Sequence, residues 1–497
     1  MLYLGEINDQ QRAAWQKSID IFEVGQSQPR TVALFPENRI VEGELVLRQV
    51  FDKEPDHPGA HHYRIHNWDH IAPAEGLPSC QRYGLVAPNI GHADHMPGHN
   101  YTKIGMWHEA ARSMDTATRI ELRYMNERLA LPFETWNFAH NHNYLCYIQE
   151  QLGLVDASLQ GARDLLAAPR DPEHNKDNDD GAFDQGVIAL VRALLKFERW
   201  DDVLTTSNAV AIPWRDIPAD KDLRALAETL AYTGKGNLVS AHRRLVDLKT
   251  SLRQQAEKGE NKGKGIEAPW TIPLKAAEGL LRAAEGDILD ATRLLTEAAA
   301  VEKTERDAGR YDDDPPSIAW PINRVLGDVY FNRGEHRLAV EAYDRSLAQE
   351  PNDAFTLSGL AKAHFALGDR AKAERFYGRL LYVWSGADPT LRWMKAVETL
   401  GLESAPIAET LAPERPYRPD TLAHLGSIDW EPYAAPRLSC VDVNGEPVKL
   451  EDFQGSNVLL VFYLNDECVH CMEQLTAING RAADWTAENT VVLGSAA

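Results

Sequence analysis

Along most of the chain, apolar positions follow a helical period that recurs in pairs. In "IAWPINRVLGDVYFNRGEHRLAVEAYDRSLAQEPND", with Trp320 as the first of 34 positions, the pattern places Leu326, Gly327, Tyr330, Ala339 and Tyr343, and Pro351 closes the unit. Two amphipathic stretches joined by a short polar turn predict an antiparallel helix pair, in which small residues allow close approach and the aromatic fills the gap beside them. The next unit, from Ala354, puts Leu360, Ala361, Ala373, Tyr377 and Leu380 in the same register. Weaker copies lie upstream. "EGELVLRQVFDKEPDHPG" and "GLPSCQRYGLVAPN" read as second helices closing at Pro55 and Pro88, and further helical pairs follow between Thr135 and Glu302. Stacked pairs of this kind predict an α-solenoid over residues 1–402. Its polar breaks include "RDPEHNKDNDDG", where Lys176 stands at the first position of what would be a calcium loop and no Glu closes it, so the segment reads as a solvated turn.

The pattern changes after residue 402. Residues 403–437 read as an extended linker, with six prolines between Pro406 and Pro436. Residues 438–497 then carry a turn at Asn444-Gly445, a continuous apolar run "NVLLVFYL", a helical stretch opened by "CVHC" and a second apolar run "TVVLG". Short apolar runs flanking a helix predict a strand–helix–strand unit.

Charge and composition narrow the partners. With 52 Lys and Arg against 74 Asp and Glu, the net charge of −22 repels phosphate backbones, and no basic stripe offsets it, so nucleic acid is not an expected partner. No run of 18 apolar residues is present, and no membrane insertion is expected. The first residues show no signal peptide and read as the middle of an amphipathic helix, which leaves open a start further upstream. Five cysteines are too few for a disulfide framework, which leaves redox chemistry as the better use of the Cys468–Cys471 pair. At a helix start beside His470, Cys468 is the expected nucleophilic thiolate and Cys471 the resolving thiol. Half of a zinc site and an inert pair remain the alternatives, and a thiol redox partner goes with the first reading.

Histidine is concentrated in one place: of 17 in the chain, eleven fall between His57 and His142. His62 and His66 stand seven and eleven residues after Pro55, and His95 and His99 stand seven and eleven after Pro88. The same two positions are therefore histidine in consecutive units, on one face of each helix. Facing helices in a solenoid bring such rings within reach of one another, so four nitrogens are expected to converge on a transition metal: zinc, copper or nickel. His92, His70, His140 or His142 would add a fifth ligand or a supporting contact, with Asp69 or Asp94 as the orienting carboxylate. Pro97 suggests a helix start near Asp94, with His92 in the preceding loop. A groove for a peptide without metal, and buried packing of the rings, are the competing readings. A metalloenzyme would need a general base, for which Glu75 and Glu109 are nearest in sequence.

The two best units resemble the tetratricopeptide (TPR) family, which implies a mostly α, right-handed TPR solenoid whose concave face takes a protein or peptide client. "GHADHMPGHNYTKIGMWHEA" resembles a group of bacterial tetratricopeptide proteins with a His-x-x-His-Met-Pro-x-His core, here His92, His95, Met96, Pro97 and His99, followed by Gly105 and Trp107. That resemblance transfers no activity. "VDVNGEPVKLEDFQGSNVLLVFYLNDECVHCMEQL" resembles the thioredoxin-like redoxins (AhpC/TSA-type), implying a partial α/β thioredoxin-like domain and thiol-disulfide oxidoreductase activity. Val461 and Asn465 stand where peroxidases of that family have Pro and Thr or Ser, which weighs against peroxidase activity. The resemblance extends to the first part of such a domain only, implying that the chain is a fragment or the redox module vestigial. In the latter case the protein would be a non-enzymatic interaction scaffold. By resemblance the compartment leans to the bacterial envelope.

Overall fold

A computed structural model describes residues 37–171, 181–206, 211–257, 265–309, 314–317, 319–403 and, with short interruptions, 430–496. The expected N-terminal helix, the "RDPEHNKDNDDG" turn after Asp171 and most of the proline-rich linker lie outside these residues. The chain divides into two compact units, Met1–Trp430 and Glu431–Ala497.

The first unit is a stack of helices: α1 (Glu37–Phe51), α2 (Pro58–Trp68), α3 (Leu77–Val86), α4 (Gly91–Lys103), α5 (Trp107–Arg128), α6 (Trp136–Gln151), α7 (Val155–Ala167), α8 (Ala182–Lys196) and the short α9 (Trp200–Leu204). It continues through α10 (Pro218–Gly234), α11 (Leu238–Ala256), α12 (Ala268–Glu285), α13 (Ile288–Asp307), α14 (Ile322–Asn332), α15 (His336–Gln349), α16 (Ala354–Ala366), α17 (Arg370–Val383) and α18 (Arg392–Glu398). This is the helix-pair solenoid that the periodicity predicts. Its packing shows why the repeat positions carry the residues they do. Tyr343 on α15 is fully buried, and its ring fills the space left by Gly327 on α14 and Gly359 on α16. A Cβ at either glycine would lie 2.5 Å from the ring. The phenol hydroxyl donates to Asp328 Oδ1 at 2.7 Å, so the wedge is also satisfied as a polar group.

Late repeats return to pack against early ones. Gly105, at φ +72°, brings the α4–α5 turn against the Pro351 carbonyl so closely that a Cβ would sit 2.1 Å from it. Trp107 Nε1 donates to the Asn352 carbonyl (3.0 Å), His108 Nε2 to the Val383 carbonyl (3.1 Å) and Trp384 Nε1 to the Gln151 carbonyl (3.0 Å). Beneath these contacts lies a buried charge network. Arg192 on α8 donates to Glu150 Oε1 at 2.8 Å and to the Pro316 carbonyl at 3.0 Å, and Lys196 lies 3.4 Å from Glu150. This return path carries the 314–317 segment back to the early repeats.

In the second unit, β1 (Cys440–Val441) and β2 (Pro447–Val448) form a hairpin around Asn444-Gly445. β3 (Asn457–Tyr463) pairs in parallel with β4 (Thr490–Ala496), Asn457 opposite Thr490. Parallel neighbours require a crossover, here α19 (Val469–Asn479) and α20 (Ala482–Ala487). The unit thus has the expected strand–helix–strand order.

Candidate functional site

The histidines gather on α2, α4 and α6. Contrary to the expected start near Asp94, α4 begins at Gly91 with Ile90 as its cap, so His92 is in the first turn and Pro97 is inside the helix. Proline cannot donate to the preceding turn. At that level Ser113 Oγ of α5 donates to the Asp94 carbonyl at 2.6 Å, and α5 approaches so closely that a Cβ at Gly98 would meet Met114 at 2.6 Å. Packing against α5 therefore tolerates a proline that helix propensity alone would exclude.

Instead of meeting at one point, the imidazoles form two groups of three. His62 and His66, one turn apart on α2, meet His92 from α4, with His62 Nε2 3.0 Å from both His66 Nε2 and His92 Nε2. His95 and His99, one turn apart on α4, meet His140 from α6; the Nε2 atoms of His95 and His99 are 2.7 Å apart. In each group the ligand atoms lie within 4.8 Å of one another. The first group is half-buried and the second buried. Nitrogens this close need a proton or a cation between them, because two bare imidazole lone pairs repel.

Burial favours the neutral form of His62, His66, His92 and His95. Burial first, and then the charge of neighbouring rings, pushes His62 down to about 3. Burial dominates at His66 too, which lies at about 4 despite the opposing effect of Asp69, and burial holds His95 well below its ordinary value. Neutral imidazole is the form that binds metal. His95 Nδ1 bonds Asn141 Oδ1 at 2.6 Å, which leaves its Nε2 for the cluster. Trp136 stacks on the His140 ring at 4.4 Å between centroids.

The carboxylate beside the second group comes from far along the chain. Asp314 Oδ1 lies 3.2 Å from His99 Nδ1 and 3.5 Å from His140 Nε2. Neither carboxylate expected from sequence takes that place. Asp69 pairs with Lys103 at 2.9 Å and sits 3.6 Å from His70, while Asp94 is buried in the first turn of α4. Glu109 pairs with Arg112 at 2.8 Å, and Glu75 is exposed. Asp314 carries no local signal, since only the return of the late repeats brings it near. His57, His61 and His108 have structural partners: His57 caps α2, His61 bonds Ser79 and the Pro55 carbonyl, and His108 bonds Val383. His142 is buried beside Cys146 against Gly161.

In the second unit, Cys468 is the N-cap of α19 and is joined to Cys471 by a disulfide. The Cys471 amide donates to Cys468 Sγ at 3.3 Å. His470 is exposed, with Nδ1 3.4 Å from Glu473. Val461 is buried on β3, while Asn465 lies outside the described residues.

Comparison with known proteins agrees with this division. Residues 433–496 match the AhpC/TSA family, so a redoxin-type domain follows the helical repeats. Among solved structures the chain is similar to Naa15/Naa10 bound to HypK-THB, at 14% identity and a TM-score of 0.25, over 78% of this chain and 65% of that one. It is also similar to the APC/C hetero-tetramer Cut9-Hcn1, at 11% identity and a TM-score of 0.25, over 80% of this chain and 90% of that one. The chain thus spans 65% of the length of the first of these. No curated protein matches it.

Proposed function

We propose that the solenoid is a transition-metal-binding scaffold and that the redoxin-type domain carried on the same chain performs thiol-disulfide exchange. The convergence of His62, His66 and His92, and of His95, His99 and His140, carries the metal reading. Three imidazoles are a strong donor set for zinc, copper or nickel, and Asp314, against His99 Nδ1 and His140 Nε2, adds a carboxylate beside the second group.

The test is elemental mass spectrometry on full-length, tag-free protein dialysed against each of these metals, beside a His62, His66, His95, His99→Ala variant. The expected result is at least one tightly held equivalent in the native protein and its loss in a variant that remains helical. An unaltered protein that retains none would end the metal reading.

The thiol reading rests on the Cys468–Cys471 disulfide at the start of α19, where the helix N-terminus favours a thiolate. Cys468→Ser is expected to abolish insulin reduction, and full retained activity would refute that role. A scaffold without chemistry has its own supporting observation, a cavity of about 400 Å³ lined by Val187, Leu223, Leu230, Trp270 and Trp320 and bordered by Arg215. A protein client that binds metal-free, Cys468→Ser protein as tightly as the native form would favour that reading.

A further inference from the structure

Given the metal reading of the same histidines, on which this rests, we propose that the two clusters form one dinuclear copper centre with unequal halves. Helix α4 joins them, because His92 belongs to one group while His95 and His99, three and seven residues on, belong to the other. The His92 and His95 rings are stacked at 5.4 Å between centroids with an interplanar angle of 21°. An ion held about 2 Å from a ring nitrogen in each cluster is therefore no more than about 12 Å from the other ion.

The halves differ in ligands and in access. His62, His66 and His92 are half-buried and give three nitrogens, which leaves a fourth position open. His95, His99 and His140 are buried, and Asp314 Oδ1 stands beside them, 3.2 Å from His99 Nδ1 and 3.5 Å from His140 Nε2. Six imidazoles with no thiolate favour copper, which heads the divalent series at nitrogen sites. The buried half also ties the late 314–317 segment to α4 and α6, so it is the half expected to hold its ion more firmly.

The experiment is electron paramagnetic resonance on metal-stripped, full-length protein titrated with copper(II) sulfate. Two equivalents are expected to bind. The spectrum at two equivalents is expected to differ from twice that at one, with dipolar broadening and fewer than two isolated spins per chain. His66→Gln, at a half-buried position, is expected to reduce binding to one equivalent and restore an isolated-copper spectrum. Two bound coppers whose spectrum is a simple sum of isolated sites would overturn the dinuclear centre while leaving metal binding intact. A single bound equivalent in the native chain would overturn it in the same way. Failure to bind any copper would remove both.

Discussion

Tyr343 shows at the scale of one residue how the repeat is held. Its ring is fully buried between helices on both sides, and only the lack of a Cβ at Gly327 and Gly359 makes room for it. Alanine at position 359 improves helix propensity by about 1 kcal/mol. It also forces a Cβ to 2.5 Å from a ring that has nowhere to go. Overpacking of this kind costs about 1–3 kcal/mol, so Gly359→Ala is expected to lower the melting temperature followed by circular dichroism. An unchanged or raised value would show that the α14–α16 packing is looser than the structure shows.

The elements that close the solenoid carry a pH signature. Glu350, immediately after α15, is pushed up to about 7 by burial, with Arg306 and Lys196 opposing the shift and Asp353 and Glu302 adding to it. A carboxyl whose folded value exceeds its unfolded one binds more protons when folded. Its contribution is thus fully favourable below the unfolded value of about 4.5 and is lost as pH rises to about 7. Stability should fall over that window, and Glu350→Gln should recover at most about 3 kcal/mol at pH 8. The measurement is chemical denaturation at pH 5 and pH 8, and a Gln variant no more stable than native at pH 8 would contradict the sign. Sequence legibility divides along the same line. The helix pairs from Trp320 onward, the pairing of histidines seven and eleven residues after Pro55 and Pro88, and the strand–helix–strand unit are set by local periodicity and turn chemistry, so they can be read directly. The start of α4 is not legible in the same way, because Pro97 is accommodated by the packing of α5, which helix propensity alone does not contain. The partition of the rings into two threes, the full membership of His140 and the arrival of Asp314 all depend on which distant repeats meet, and no local pattern encodes that.

For the whole molecule, the proposed function places two separate chemistries on one chain: imidazole-held metal in the helical unit and a cysteine pair in the redoxin-type unit. A metal ion bound to this protein should therefore have no sulfur ligand, although Cys468, His470 and Cys471 lie within four residues of one another and are themselves credible zinc ligands. The most direct measurement is X-ray absorption at the metal edge on the full-length protein, as purified and after loading with copper or zinc under reducing conditions. The expected result is a first shell of nitrogen and oxygen at about 2.0 Å with outer scattering from imidazole carbons, changed by His66→Gln and unchanged by Cys468→Ser. A sulfur shell at about 2.3 Å, abolished by Cys468→Ser, would place the metal on the thiol pair and contradict it.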